Sequence, residues 1–193
     1  DGRRVIGVLT NRGAYRSSWV IISAGLWADD LMHKAGLDGF HITPRKGEYF
    51  VLDRMAAEHV RNVLFPCPTP VSKGILVTRT IHGNVMLGPN ANDTLDKDDL
   101  STTAEGLNEV LTGALKLVPS LNPRQVIRTF AGLRATGSTG DFVIEIPRDP
   151  AGLLVLAGIE SPGLTASPAI GDYVVDMLRE VGLPLEEKPD YNP

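Results

Sequence analysis

Apolar positions along this chain fall into short blocks separated by glycine and proline, and twice they settle into a helical period. Leu153–Ala157 is a continuous apolar run, the pattern of a short strand covered on both faces. Gly158 and Gly163 then mark a tight turn. Beyond it Ala166, Ala169, Ile170, Tyr173, Val174, Met177, Leu178 and Val181 share one helical face, with Asp172, Asp176, Arg179 and Glu180 on the other. Strand, turn and long helix are predicted, with Thr165 as the N-cap. The second helical period follows Thr102 and Glu105, a capping-box pair. It aligns Ala104, Leu107, Leu111, Ala114, Leu115 and Val118 and stops at Pro119 and Pro123.

The remaining blocks read mainly as strands. Residues 4–10 and 14–23 predict two strands joined by a turn at Asn11, Arg12 and Gly13. Residues 27–35 predict a short helix ended by Gly36. Residues 48–53, 62–65, 75–81 and 84–87 predict strands, the last two forming a hairpin through His82 and Gly83. Residues 125–129 and 142–146 complete the set. Residues 90–100 read as an acidic, solvated connection without the glycine and spacing of a calcium loop. The fold class is α+β, a mostly antiparallel sheet with a helix packed on one face, plus flanking elements.

Composition narrows the function classes. With 193 residues, 42% hydrophobic and 22% charged, the chain supports one substantial core and a small flanking lobe. A net charge of −4 without a basic run argues against nucleic acid as a partner. No apolar stretch approaches the roughly 20 residues that span a bilayer, and the expected location is cytoplasmic. The single Cys67 leaves no pair for an intrachain disulfide and no cysteine metal cluster, and reads as structural or incidental.

Four ordered segments carry a family resemblance. Gly158-Ile-Glu-Ser-Pro-Gly-Leu-Thr-Ala-Ser-Pro-Ala-Ile-Gly171 resembles the last flavin-contacting turn of FAD-dependent oxidoreductases of the D-amino-acid oxidase superfamily. Val20-Ile-Ile-Ser-Ala-Gly-Leu-Trp-Ala-Asp29 resembles its strand and A-G-x-W element. Pro44-Arg-Lys-Gly-Glu-Tyr49 resembles the opening of its substrate domain, and Phe130-Ala-Gly-Leu-Arg134 its G-x-R strand. The similarity is greatest to the glycerol-3-phosphate dehydrogenase-like branch. No G-x-G occurs anywhere in the chain, so the resemblance implies an internal piece lacking the first nucleotide-binding unit. Such a piece is expected to fold but to hold no FAD and to be inactive by itself.

The expected division is residues 1–40 and 151–183 as parts of the FAD domain, 41–150 as the substrate-binding domain, and 184–193 as a linker. The implied function of the whole protein is transfer of hydride from a small anionic 2-hydroxy substrate to FAD. L-2-hydroxyglutarate or amino-acid oxidation is an alternative, as is a docking domain that passes electrons to an iron–sulfur partner or module.

The resemblance implies cofactor contacts for Gly25, Trp27, Gly158, Ile159, Gly163, Leu164 and Thr165. It implies the substrate-anion arginine for Arg134, whose guanidinium suits a carboxylate or phosphate and would otherwise sit in a surface salt bridge. Arg45, Lys46 and Tyr49 form a second cluster on a basic, kinked segment, read either as substrate-binding or as a solvated loop. His82 is either the base that takes a substrate hydroxyl proton or a plain turn residue. Two departures stand out. Ala135 occupies a position where many members carry proline. Glu160 places a carboxylate near a turn where related enzymes carry lysine, and a carboxylate there repels an anion.

Overall fold

The computed structural model describes residues 2–67 and 74–191. In chain order its elements are β1 (Gly7–Thr10), β2 (Gly13–Arg16), β3 (Val20–Ile22), α1 (Ala28–Lys34), β4 (Ile42–Leu52), β5 (Leu76–Arg79) and β6 (Val85–Gly88). There follow β7 (Asn92–Asp93), α2 (Ala104–Leu117), β8 (Val126–Gly137), β9 (Val143–Glu145), β10 (Leu153–Ala157) and α3 (Gly163–Glu180). They form two compact units, Asp1–Ile42 with Ala135–Pro193, and Thr43–Arg134. Among the described residues no helix is long and apolar enough to cross a membrane.

In the first unit β10 runs parallel to β3 and antiparallel to β9. Its alternating residues are apolar on both sides, as the unbroken run requires. Leu153, Val155 and Ala157 join Ile22, Ala28 and Met32 in one cluster, while Leu154 meets Val174 and Leu178 of α3 in another. The helix buries a narrower stripe than its periodicity suggests, because only positions four apart reach β10; Tyr173 and Val181 stay exposed. The block 14–23 is two strands, not one. β2 pairs with β1, and a bend at Ser18 redirects the chain into β3 of the other sheet. There the Ser17 hydroxyl donates to the Trp19 carbonyl at 2.6 Å.

The second unit is a five-stranded sheet ordered β5-β6-β4-β7, with β8 also on β4. Phe50, Leu52, Val77, Val85 and Leu87 pack with Val110 and Ala114 of α2. The cap of α2 is Thr103, not Thr102: its hydroxyl accepts the Gly106 N–H at 3.0 Å. That shifts the buried stripe to Gly106, Val110 and Ala114, and Ala104 is exposed. The hairpin at His82 and Gly83 forms as expected, with Gly83 at φ 89°. Of the predicted strand 62–65, a bend at Arg61 and Asn62 leaves one bridge, between Leu64 and Val77. The blocks 125–129 and 130–134 merge into the 12-residue β8. Residues 183–188 have no regular structure, and Asn192 and Pro193 lie outside the described residues.

Candidate functional site

Two adjacent parallel strands define one edge of the first unit. Ile22 of β3 pairs with Val155 of β10. Three residues beyond each stand Gly25 and Gly158, both in the left-handed region at φ 55° and 63°. Ligands of parallel sheets bind at the carboxyl ends of the strands, where loops turn into helices. The residues expected to touch the cofactor, Gly25, Trp27, Gly158, Ile159, Gly163, Leu164 and Thr165, therefore sit on the segments that leave this edge. A Cβ on Gly25 would meet nothing within 4 Å, so its turn faces open space.

The turn differs from expectation in two details. The helix begins at Gly163 rather than behind Thr165, its N-cap is Pro162, and no side chain caps it. Gly163 N–H is satisfied by the Glu160 carbonyl at 2.6 Å. The N–H groups of Leu164 and Thr165 meet no acceptor among the described residues, and Leu164 is 91% exposed. Gly163 also has ordinary helical φ, so positive φ is not its reason to be glycine. Its reason is Ile159, whose Cγ2 would lie 2.4 Å from an added Cβ. The bare positive end of α3 behind a glycine turn suits a ring system that carries negative charge, and these residues fit a flavin. Glu160 is held here as well: its Oε2 accepts from Thr136 Oγ1 at 2.8 Å.

The second unit presents a different surface. Alternation along β4 sends Lys46, Glu48, Phe50 and Leu52 toward α2, and Arg45, Gly47, Tyr49 and Val51 to the opposite face. The Tyr49 ring stacks on Phe130 of β8 with centroids 4.7 Å apart, so Phe130, Gly132 and Arg134 share that opposite face. Burial raises the Tyr49 pKa and the nearby Arg134 charge opposes it, which keeps the phenol neutral.

Three cations meet at one end of this sheet, and two have carboxylate partners. Arg45 makes a fork to Asp93, with Nε to Oδ1 at 2.7 Å and Nη2 to Oδ2 at 3.4 Å. That bond holds the Asp93 carboxyl below its ordinary pKa. Lys46 is 6% exposed and pairs with Asp99, donating also to the Ser101 carbonyl at 3.2 Å. The Asp99 pKa drops to about 2, chiefly through the Lys46 bond. Arg134 instead donates to carbonyls: Nη2 to Asn90 at 2.7 Å and Lys46 at 3.5 Å, and Nε to Arg45 at 3.4 Å. Its Nη1 donates to none of the described residues. The segment from Pro44 is thus a strand rather than a basic loop. The acidic stretch 90–100 is not a solvated connection; it supplies the partners of Arg45 and Lys46.

His82 does not join this group. It is exposed at the β5–β6 hairpin tip, beside the end of β4 where Leu52 pairs with Val85. Lys46, whose carbonyl Arg134 reaches, lies six residues back along β4, about 20 Å away. Cys67 is exposed. The residues that sequence reasoning missed are Glu48, Asn90, Asp93 and Asp99. Their signal was the excess of acid in 90–100 opposite a basic motif, together with an apolar strand interrupted by a glutamate.

The family model for FAD dependent oxidoreductases, DAO, matches residues 1–177. Glycerol 3-phosphate dehydrogenase of Caloramator mitchellensis is 42% identical over 96% of this chain and 39% of its own length. Glycerol 3-phosphate oxidase of Mycoplasma genitalium is 36% identical over 93% of this chain and 46% of its own. The chain thus spans less than half the length of these relatives. Among solved structures, dithionite-reduced L-alpha-glycerophosphate oxidase of Mycoplasma pneumoniae with FAD bound matches with a TM-score of 0.85 and 34% identity, over 96% of this chain and 49% of that one. Bacillus cereus glycine oxidase, at 22% identity and a TM-score of 0.77, shares the fold. A match over nearly the whole chain, joined to a glycine-turn edge and an arginine-bearing sheet face, leads to one conclusion: the chain belongs to the DAO family of FAD-dependent oxidoreductases.

Proposed function

We propose that the full-length protein oxidises glycerol 3-phosphate with FAD as hydride acceptor, and that Arg134 receives the substrate phosphate. The observation that carries this reading is the charge pattern of the second unit. Arg45 and Lys46 are each neutralised by an aspartate, whereas Arg134 has only carbonyl acceptors among the described residues. A guanidinium that makes no hydrogen bond to a carboxylate among the described residues, half-buried on a sheet face and near only the Asp93 charge that Arg45 already holds, suits an incoming anion. Three carbonyls hold its Nε and Nη2 and leave Nη1 for the ligand. Tyr49 and Phe130 supply an aromatic wall beside it, with Tyr49 offering a neutral hydroxyl. Lys46 and Arg45 act here as structural cations.

FAD, when bound, accepts the hydride and with it negative charge. The Leu164 and Thr165 N–H groups at the positive end of α3 would stabilise that charge, and Gly25 and Gly158 would let the backbone approach the cofactor. The dehydrogenase and oxidase names of the two sequence relatives support the substrate.

The test is anaerobic titration of the FAD-loaded full-length protein with glycerol 3-phosphate, following flavin absorbance. Bleaching at submillimolar substrate that Arg134→Ala shifts upward is the expected result. Bleaching by L-2-hydroxyglutarate or a small amino acid and not by glycerol 3-phosphate would reassign the substrate.

A further inference from the structure

The mechanism above leaves one buried charge unused. Glu48 is 1% exposed, and its carboxylate sits at the start of α2. Its Oε1 accepts from the Thr103 N–H and, at 3.1 Å, from the Thr103 hydroxyl. The positive end of a 14-residue helix thus faces a negative group. Gly106 makes room: a Cβ there would fall 1.4 Å from Glu48 Oε2. The helix carries glycine, a poor helix former, in its first turn where any side chain would expel the carboxylate.

Asn90 grips Glu48 from the other side. Its Oδ1 accepts the Glu48 N–H at 2.7 Å, and its Nδ2 donates to Glu48 Oε2 at 3.0 Å. Asn90 is 2% exposed and lies in the break between β6 and β7, residues 89–91. Phe50 pairs with Leu87 and Lys46 with Asn92, so four steps along β4 face five on the partner segment. At Asn90 the side-chain oxygen, not the carbonyl, takes the Glu48 N–H of β4, and the carbonyl takes the shortest of the Arg134 hydrogen bonds. A continuous path therefore runs from the α2 N-terminus through the Glu48 carboxylate and the Asn90 amide to the Arg134 guanidinium.

We propose that Glu48 is a positioning residue for anion recognition: through Asn90 it sets the orientation in which Arg134 presents Nη1 to the substrate. Glu48 touches no substrate. It selects for the anionic group indirectly, because a tilted guanidinium loses its directed N–H while the rest of the site keeps its shape. The inference rests on the assignment of Arg134 as anion receptor.

The experiment is a double-mutant cycle in the FAD-loaded full-length protein, with Glu48→Gln, Arg134→Ala and their combination. The readout is the ratio of kcat/KM for glycerol 3-phosphate to that for glycerol, which lacks the charge. Glu48→Gln is expected to lower this ratio about tenfold when Arg134 is present and to leave it unchanged in the Arg134→Ala background. Equal loss in both backgrounds, or equal slowing of both substrates with the ratio unchanged, would overturn the proposal and leave Glu48 a folding residue. If Arg134→Ala itself leaves the ratio intact, the anion-receptor assignment fails, a result distinct from failure of Glu48 alone. Should Glu48→Gln not fold, Glu109→Ala carries the same cycle, since Glu109 Oε2 accepts from Asn90 Nδ2 at 3.2 Å and alanine suits α2. There the expected loss is about threefold and equally confined to the Arg134 background.

Discussion

Arg134 Nη2 donates to the carbonyl oxygen of Asn90 at 2.7 Å, across a sequence separation of 44 residues. Asn90 lies in the break between β6 and β7, where its side-chain oxygen takes the Glu48 N–H, and the contact of its carbonyl with Arg134 ties the candidate anion receptor to a buried polar network. Orientation of the guanidinium is therefore a property of the whole sheet end, and substitutions there should separate charge from geometry.

Arg134→Lys keeps the charge and loses the planar fork that three carbonyls hold. A lysine ammonium cannot satisfy those carbonyls and present a directed N–H together. In the full-length enzyme kcat/KM for glycerol 3-phosphate should fall by roughly 2–4 kcal/mol of transition-state stabilisation, mainly through KM. Steady-state kinetics check this, and unchanged values would reject the role.

The pairing of Lys46 with Asp99 should show in acid. The folded Asp99 pKa is lowered from 3.8 to about 2. A carboxyl depressed on folding adds stability above its unfolded pKa and loses it as pH falls through the folded one. Denaturant midpoints should therefore drop between pH 3.8 and about pH 2, and the drop should be smaller in Asp99→Asn, measured over the same range.

Gly163→Ala places a Cβ against Ile159 Cγ2 at the head of α3. Overpacking of this kind costs about 1–3 kcal/mol. Removing the obstacle with Ile159→Ala should recover part of the loss, so thermal unfolding of the double variant should lie above the additive value. Flavin affinity of the full-length variants should follow the same order.

Gly106→Ala runs against helix propensity. Alanine favours a helix interior by about 1 kcal/mol over glycine, yet here it would strike Glu48 Oε2. The variant should be destabilised in urea unfolding. A gain in stability would show that the carboxylate moves aside at little cost.

His82→Gln should leave the rate of flavin reduction within about twofold of wild type, because the side chain is exposed at the hairpin tip far from Arg134. Rapid mixing of the full-length enzyme with substrate measures it. A large loss would restore His82 as the proton acceptor.

Local pattern was enough for the elements whose cause is local. The run Leu153–Ala157 had to be covered on both faces because it offers no polar side, and α1 and α3 cover it. Gly83 marked a hairpin because a tight turn there needs positive φ. Membership of the family was likewise legible, since ordered motif spacing survives in the chain itself. What the tertiary structure decided was partnership. Nothing in the order of residues says that Arg45 meets Asp93 48 positions later or that Lys46 meets Asp99 at 53. Strand register sets the first pair, and the loop after β7 brings Asp99 back to Lys46 for the second; between the β6 and β7 pairings the register shifts by one. Between those pairings Asn90 is buried against Glu48, and its carbonyl is one of the three that hold Arg134. Periodicity fixes which face a side chain takes, but the identity of a charge's partner depends on distances that only the folded sheet creates.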